Sequence, residues 1–260
     1  MDDIIPIQAE AHPPPTNRNE PRLLAPVWHT IAMVVLMLAN SYVTARIMAR
    51  TGGRFSAGSR MTQYGFTIVL ELFLLLLVWI GLRLRNFKLR DLIGGGWKTP
   101  ESFLIDVSIA AGFWIVSAAV LAGLGYVMGM ANPSQVNEVR QRLGGIVPQT
   151  RVELGVWILL CITAGFVEEV LFRGYLQRQI GALFGNTYTG VALSALIFGA
   201  VHGYEGIKNM VRIAVFGALF GVLVLWRKSL RPGMMAHAWQ DALAGILLHM
   251  INQRNGSWTV

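Results

Sequence analysis

Glu168, Glu169 and Arg173, in the run Glu-Glu-Val-Leu-Phe-Arg, are residues whose types and spacing suggest chemistry. Glu169 and Arg173 stand four apart, so on a helix they share a face and can pair. Glu168 points about 100° away around the same helix and is free to meet another partner. The competing reading ends the helix here and leaves both carboxylates in headgroup water. A helix C-terminus disfavours acidic groups, however, and Tyr175 and Leu176 continue the apolar pattern. A second group is Phe198-Gly-Ala-Val-His202, which sets a His near the end of an otherwise apolar stretch. Alone, such a His is most often structural. The third is His237-Ala-Trp-Gln-Asp241, again a polar pair four apart. A buried Asp can hold a His in one tautomer and orientation, although a helix-to-helix hydrogen bond is a fair structural alternative.

Taken together, these groups supply what hydrolysis needs: a base to activate water and donors to stabilise the oxyanion. Other polar groups rank lower. Glu71 and Asp106 are expected near the starts of their helices, reaching headgroups, and Asn40 between helices. Cys161 reads as a small buried hydrophobe, and a single cysteine excludes an internal disulfide. Ser194 lacks a Gly-x-Ser-Gly setting, and neither a His-Glu-x-x-His nor a Gly-x-Gly-Asp motif is present.

The elements that must position these groups are spanning helices. Only 14% of the chain is charged, against 54% hydrophobic. Apolar runs of about 20 residues, enough to cross a bilayer, recur along it. In lipid the backbone must satisfy its own hydrogen bonds, so these runs are helices. The pattern predicts an all-α, polytopic membrane bundle of seven to eight helices. Seven spans are expected, at about Val27–Ala49, Tyr64–Leu84, Phe103–Met130, Val152–Phe172, Tyr188–Gly203, Val211–Trp226 and Met234–Ile251. The fifth and sixth are short, and an eighth segment is conceivable at Tyr175–Phe184. Residues 1–26 read as a flexible polar arm, and 27–260 as one transmembrane domain. The net charge of +8 would suggest nucleic acid in a soluble protein. Here the Lys and Arg flank apolar runs and suit anionic headgroups, so the expected partner is the bilayer and not nucleic acid. A cytoplasmic amino terminus puts slightly more of the 22 Lys and Arg inside.

The three groups, in this order, resemble the CPBP (Abi) family of intramembrane proteases, which includes the type II CAAX prenyl endopeptidases. The family pattern is Glu-Glu-x-x-x-Arg, then Phe-x-x-x-His, then His-x-x-x-Asn or Asp, and the resemblance covers about residues 152–251. It implies a multi-pass protein of the cell membrane with a cavity open to the membrane and the cytoplasm. It implies a glutamic endopeptidase acting on a membrane-associated peptide or protein. Glu168 would be the base and His202 its helper with the water. Glu169 and Arg173 would form a supporting pair, Phe198 would support the site, and His237 with its partner would stabilise the oxyanion. Prenyl-protein members carry Asn where this chain has Asp241, so Asp241 is protonated, orients His237, or serves another geometry. The resemblance favours a mechanism without cofactor; the alternative is zinc held by Glu168, His202 and His237. The rival class is a non-proteolytic immunity or scaffold protein, or a transporter using the same buried charges as a relay.

Overall fold

The computed structural model describes residues 22–50, 60–130, 132 and 146–254, without the side chains of 251–254. Most of the expected polar arm lies outside the described residues. All the regular structure among those residues is helical. The long helices are α1 (Val27–Arg50) and α2 (Arg60–Arg83), then, after the short α3 (Leu89–Ile93), α4 (Pro100–Val127). Next comes α5 (Arg151–Glu168), whose axis runs through a π-helical stretch (Glu169–Leu176) into α6 (Gln177–Phe184). Helix α7 (Thr187–Val201), a single 3-10 turn (Gly203–Glu205), α8 (Ile207–Arg227) and α9 (Arg231–Arg254) complete the bundle.

Local chemistry fixes several starts. Thr99 and Thr150 each close a capping box, with Ser102 and Glu153 as return partners, and Pro100 occupies the first turn of α4. Asn186 accepts from the backbone N–H groups of Tyr188 and Thr189 at the start of α7. The bundle is built for an apolar surround: on α2, Phe66, Val69, Leu72 and Leu76 are exposed, whereas Tyr64 and Glu71 are buried. Polar groups inside and apolar groups outside is the arrangement that lipid demands.

Five of the expected spans are long and apolar enough to cross a membrane: α1, α2, α4, the continuous Arg151–Phe184 rod and α8. By this measure the chain is an integral membrane protein. Helix α7 is apolar but short. Helix α9, expected as the seventh span, is long enough but too polar, because His237, Gln240, Asp241 and His249 interrupt it. The sixth span is longer than expected, and the segment at Tyr175–Phe184 is not an eighth crossing but the end of the fourth span, Arg151–Phe184.

Three further expectations are corrected. Leu24 and Ala25 do not belong to a free arm: they are buried, and their backbone N–H groups donate to the Gln179 side chain at 2.7 and 3.2 Å. Asn40 is exposed rather than set between helices. Asp106 does not reach headgroups. It is fully buried, with Arg227 Nη2 at 2.8 Å, Arg231 Nε at 2.9 Å and Trp97 Nε1 donating at 2.9 Å. This clamp ties α4 to the end of α8 and the start of α9. Beside it Gly94 turns with φ +91, and a Cβ there would meet the Lys228 carbonyl oxygen at 2.8 Å, so the glycine lets two turns close on one another.

Removing the carboxylate would strand two guanidinium groups at a site built around it. Asp106→Ala is therefore expected to cost about 3–5 kcal/mol, read as a lowered Tm in detergent. An unchanged Tm would show the clamp to be screened and of little weight.

Candidate active site

The site begins with the π-helical stretch. Such stretches are rare and concentrate at functional sites. All eight of its residues, from Glu169 to Leu176, are buried. The wider turn is held by partners from neighbouring helices. The Phe172 carbonyl accepts both from the Gln177 N–H and from the Ser194 hydroxyl, the latter at 2.7 Å. Tyr175 sits between His29 and Thr30 of α1, at 3.0 and 2.8 Å. His29 Nε2 faces the Leu77 carbonyl at 3.0 Å, so Nε2 carries the proton and Nδ1 accepts from the tyrosine hydroxyl. Gln177 Nε2 donates to the Gly221 carbonyl at 3.2 Å, which joins the stretch to α8.

Within this frame the expected pair forms. Arg173 Nη1 donates to Glu169 Oε1 at 2.9 Å, and both side chains are buried. Phe198, Phe220 and Phe172 surround the guanidinium, with ring centroids 4.3, 5.2 and 5.9 Å from its carbon. A planar, delocalised cation suits aromatic faces better than an ammonium does. The same Glu169 Oε1 lies 3.1 Å from His237 Nδ1. A carboxylate acceptor fixes the tautomer, so Nδ1 bears a proton and Nε2 is turned the other way. Nε2 faces Glu168 Oε2 at 3.7 Å and Asp241 Oδ2 at 3.6 Å. Phe216 and Phe220 pack edge-on against the His237 ring, both at 5.6 Å.

His202 closes α7 as its C-cap residue. Its Nδ1 donates to the Phe198 carbonyl at 2.8 Å, which leaves Nε2 as the acceptor of the neutral ring. Phe198 lies between the two histidines, 4.9 Å from His202 and 6.3 Å from His237. Glu168, Phe198, His202, His237 and Asp241 line one cavity of about 480 Å³. Of the seven residues expected from sequence, Glu169 and Arg173 are the two that do not line it; they support it from behind. Glu169, rather than Asp241, is the carboxylate placed to orient His237.

Sequence reasoning missed several lining groups. Glu71 is not a headgroup contact: it stands mid-helix on α2, 7% exposed, and lines the cavity. A carboxylate inside the apolar run Thr67–Leu77 was the signal that could have found it. Tyr204 and Glu205 lie in the turn after His202, where nothing in the pattern marks a site. Burial pushes the Tyr204 hydroxyl well above its ordinary range; it pushes the Glu205 carboxyl up too, with His202 acting the other way. Cys161, buried as expected, also lines the wall. Among the described residues no three His, Cys, Asp or Glu side chains are grouped as a metal site would require.

Met48, Val147 and Tyr204 place the cavity at the end of the bundle where α1 finishes. Residues 22–26 and the Asp106 clamp are at the other end. The cavity and the described amino-terminal segment therefore lie toward opposite ends of the bundle.

Residues 150–243 match the family model described as type II CAAX prenyl endopeptidase Rce1-like. Over this segment, less than half of the chain, the protein is similar to that family. No curated protein and no solved structure matches the chain. The matched, Rce1-like segment spans α5 to the middle of α9 and so contains Glu168, Glu169, Arg173, Phe198, His202, His237 and Asp241. The family is one of proteases, which agrees with the CPBP resemblance. Helices α1, α2 and α4 lie outside the Rce1-like segment, yet α1 holds Tyr175 and α2 adds Glu71 to the cavity.

Arg173→Ala would leave the buried Glu169 without its guanidinium partner, held by the His237 ring alone. A loss of about 3–5 kcal/mol is expected, measured by thermal unfolding in detergent. Arg173→Lys should recover only part of it, since an ammonium loses the planar stacking. Full recovery by lysine would mean that charge alone, and not the aromatic box, holds the site.

Proposed function

We propose that the chain is an intramembrane endopeptidase of the cell membrane in which Glu168 activates a water to hydrolyse a peptide bond of a membrane-associated substrate. The observation that carries this reading is the two-sided placement of His237. Glu169 and Arg173 hold the ring from behind, and its Nε2 faces Glu168 and Asp241 across the cavity wall.

In this mechanism water sits between Glu168 and His202. His202 Nε2 accepts one of its hydrogen bonds, because Nδ1 is committed to the Phe198 carbonyl. Glu168 takes the proton as the oxygen adds to the scissile carbonyl carbon. The oxyanion that forms is stabilised by an N–H from His237 Nε2. That donation requires both ring nitrogens to be protonated, with Nδ1–H still bonded to Glu169. Asp241 lies on the same side of the ring and steadies that doubly protonated form; it donates nothing to the oxyanion. Glu168 then passes its proton to the leaving amine as the C–N bond breaks. Each step uses protein groups only, with no metal or other cofactor. Water exclusion comes from the rings of Phe198, Phe216 and Phe220 around the charged groups.

Purified protein in detergent, given a library of amphipathic peptides, tests the reading by mass spectrometry of products. Glu168→Gln keeps the shape and removes the base, and is expected to slow cleavage at least about a hundredfold. His202→Ala should do similar damage, and His237→Ala should act chiefly on kcat. Cys161→Ala should leave cleavage nearly intact, since no base stands beside the thiol. Active protein should contain no stoichiometric transition metal and should resist chelators. One zinc per chain, lost with activity and restored by adding it back, would transfer the roles of Glu168, His202 and His237 to those of ligands. Cleavage undiminished in Glu168→Gln would end the glutamate mechanism outright.

A further inference from the structure

Among the described residues, one oxygen of the buried Glu71 carboxylate has nothing to accept. The Glu71 side chain comes from α2, outside the Rce1-like segment, and lines the cavity that Glu168, His202 and His237 share. It is 7% exposed, and its Oε2 has no hydrogen-bond partner among the described residues. Buried polar atoms in folded proteins are almost always satisfied, and an orphan calls for an explanation. A carboxylate inside a membrane helix is costlier still, and by default marks a function.

The register places Glu71 relative to the reacting groups. Tyr64 of α2 packs edge-on against Trp157 of α5, with ring centroids 5.6 Å apart. The two helices run in the same direction, so seven residues further on Glu71 stands beside Ala164, which also lines the cavity. Glu168 is one turn deeper along α5, about 6 Å by the helical rise. An extended peptide advances roughly 3.3 Å per residue. A group bound at Glu71 would therefore lie about two residues from the bond that Glu168 attacks.

The charges around this position have one prevailing sign. Among the described residues, Glu71, Glu168, Glu205 and Asp241 line the cavity, against one guanidinium, Arg212, on α8. Arg212 Nη1 donates to Asn209 at 3.4 Å, and its Nε has no hydrogen-bond partner, so it is not spent on Glu71. The two histidines are engaged elsewhere, His237 by Glu169 and His202 by the Phe198 carbonyl. What fits an unpartnered carboxylate in such a wall is a cation that arrives with the substrate.

Resting on the protease reading, we propose that Glu71 is a specificity-determining residue that binds a Lys or Arg side chain of the substrate within about two residues of the scissile bond. The apolar remainder of the cavity, with Trp157, Ile213 and Leu248 among its walls, receives the methylene stem of that side chain. The substrate class is thus a membrane-associated peptide with a basic residue beside the cut.

The test is the residue preference around the cleaved bond, read from a randomised amphipathic peptide library with the full-length protein in detergent. Wild type should enrich Lys and Arg at one position within two residues of the cut. For a matched pair of peptides with Lys or norleucine there, kcat/KM should favour Lys about thirtyfold, the low end of what an unpaired buried charge costs a complex. Glu71→Gln should bring that ratio close to one, Glu71→Asp should keep part of it, and Glu71→Lys should enrich Asp and Glu instead. No basic preference in wild type, or one that survives Glu71→Gln, overturns the proposal. If wild type cleaves none of the library, the protease reading fails while the subsite is still testable. N-dodecyl lysinamide should then raise the Tm more than N-dodecyl norleucinamide does, and Glu71→Gln should abolish the difference. Equal shifts in wild type would sink the subsite as well.

Discussion

One oxygen atom organises the site. Glu169 Oε1 takes a hydrogen bond from Arg173 on its own helix and another from His237 on α9. In a low-dielectric interior each of these charges alone would be prohibitively costly, and joined they become affordable only in this geometry. The result is that α5 and α9 cannot slide past one another without stranding a charge. The placement of His237 in the cavity follows from that constraint: its tautomer, the direction of Nε2 and the distance from Nε2 to Glu168.

The surrounding architecture protects the constraint. The aromatic rings around Arg173 supply a favourable face where water is excluded. Gly165 lets α9 approach α5 closely: a Cβ there would meet the Met234 carbonyl oxygen and the Ala238 nitrogen, both at 2.8 Å. Gly199 does the same between α7 and α8, where a Cβ would meet the Met210 carbonyl oxygen at 2.5 Å. Small residues at helix contacts are how membrane bundles pack without a hydrophobic drive between helices. The Asp106 clamp adds a second polar lock at the opposite end, so the helices that carry His237 and Phe216 are tied at one end and frame the cavity at the other.

Much of this was legible in the chain itself. Helical spans follow from apolar run length, and the Glu169–Arg173 pair follows from a spacing of four. The order of the three groups also pointed to the family that residues 150–243 match. What escaped has physical reasons. Helix α9 carries so much of the site that its hydropathy no longer marks a span. Glu71 and Asp106 looked like helix-end residues because periodicity fixes boundaries poorly, and a shift of a few residues separates a headgroup contact from a buried charge. The distinction between Glu169 and Asp241 as the partner of His237 depends on how two helices cross, which no spacing within one of them reveals.

The π-helical stretch from Glu169 to Leu176 limits how such a chain can vary over time. A π turn is an α-helix that has absorbed an extra residue, and it persists because Ser194, Tyr175 and Gln177 hold its backbone and flanks in place. Shortening the segment by a single residue would restore the ordinary pitch, and the wider turn and the missing residue would largely offset one another. Gln177 and Gln179, which anchor α8 and the Leu24–Ala25 segment, would keep roughly their present direction, while the groups inside the stretch would be re-aimed. In the α-helical part of α5 no such slack exists, and a one-codon insertion or deletion there turns all that follows by about 100°. Length is the property that descent must preserve before the stretch, and the stretch is where a change of length can be absorbed.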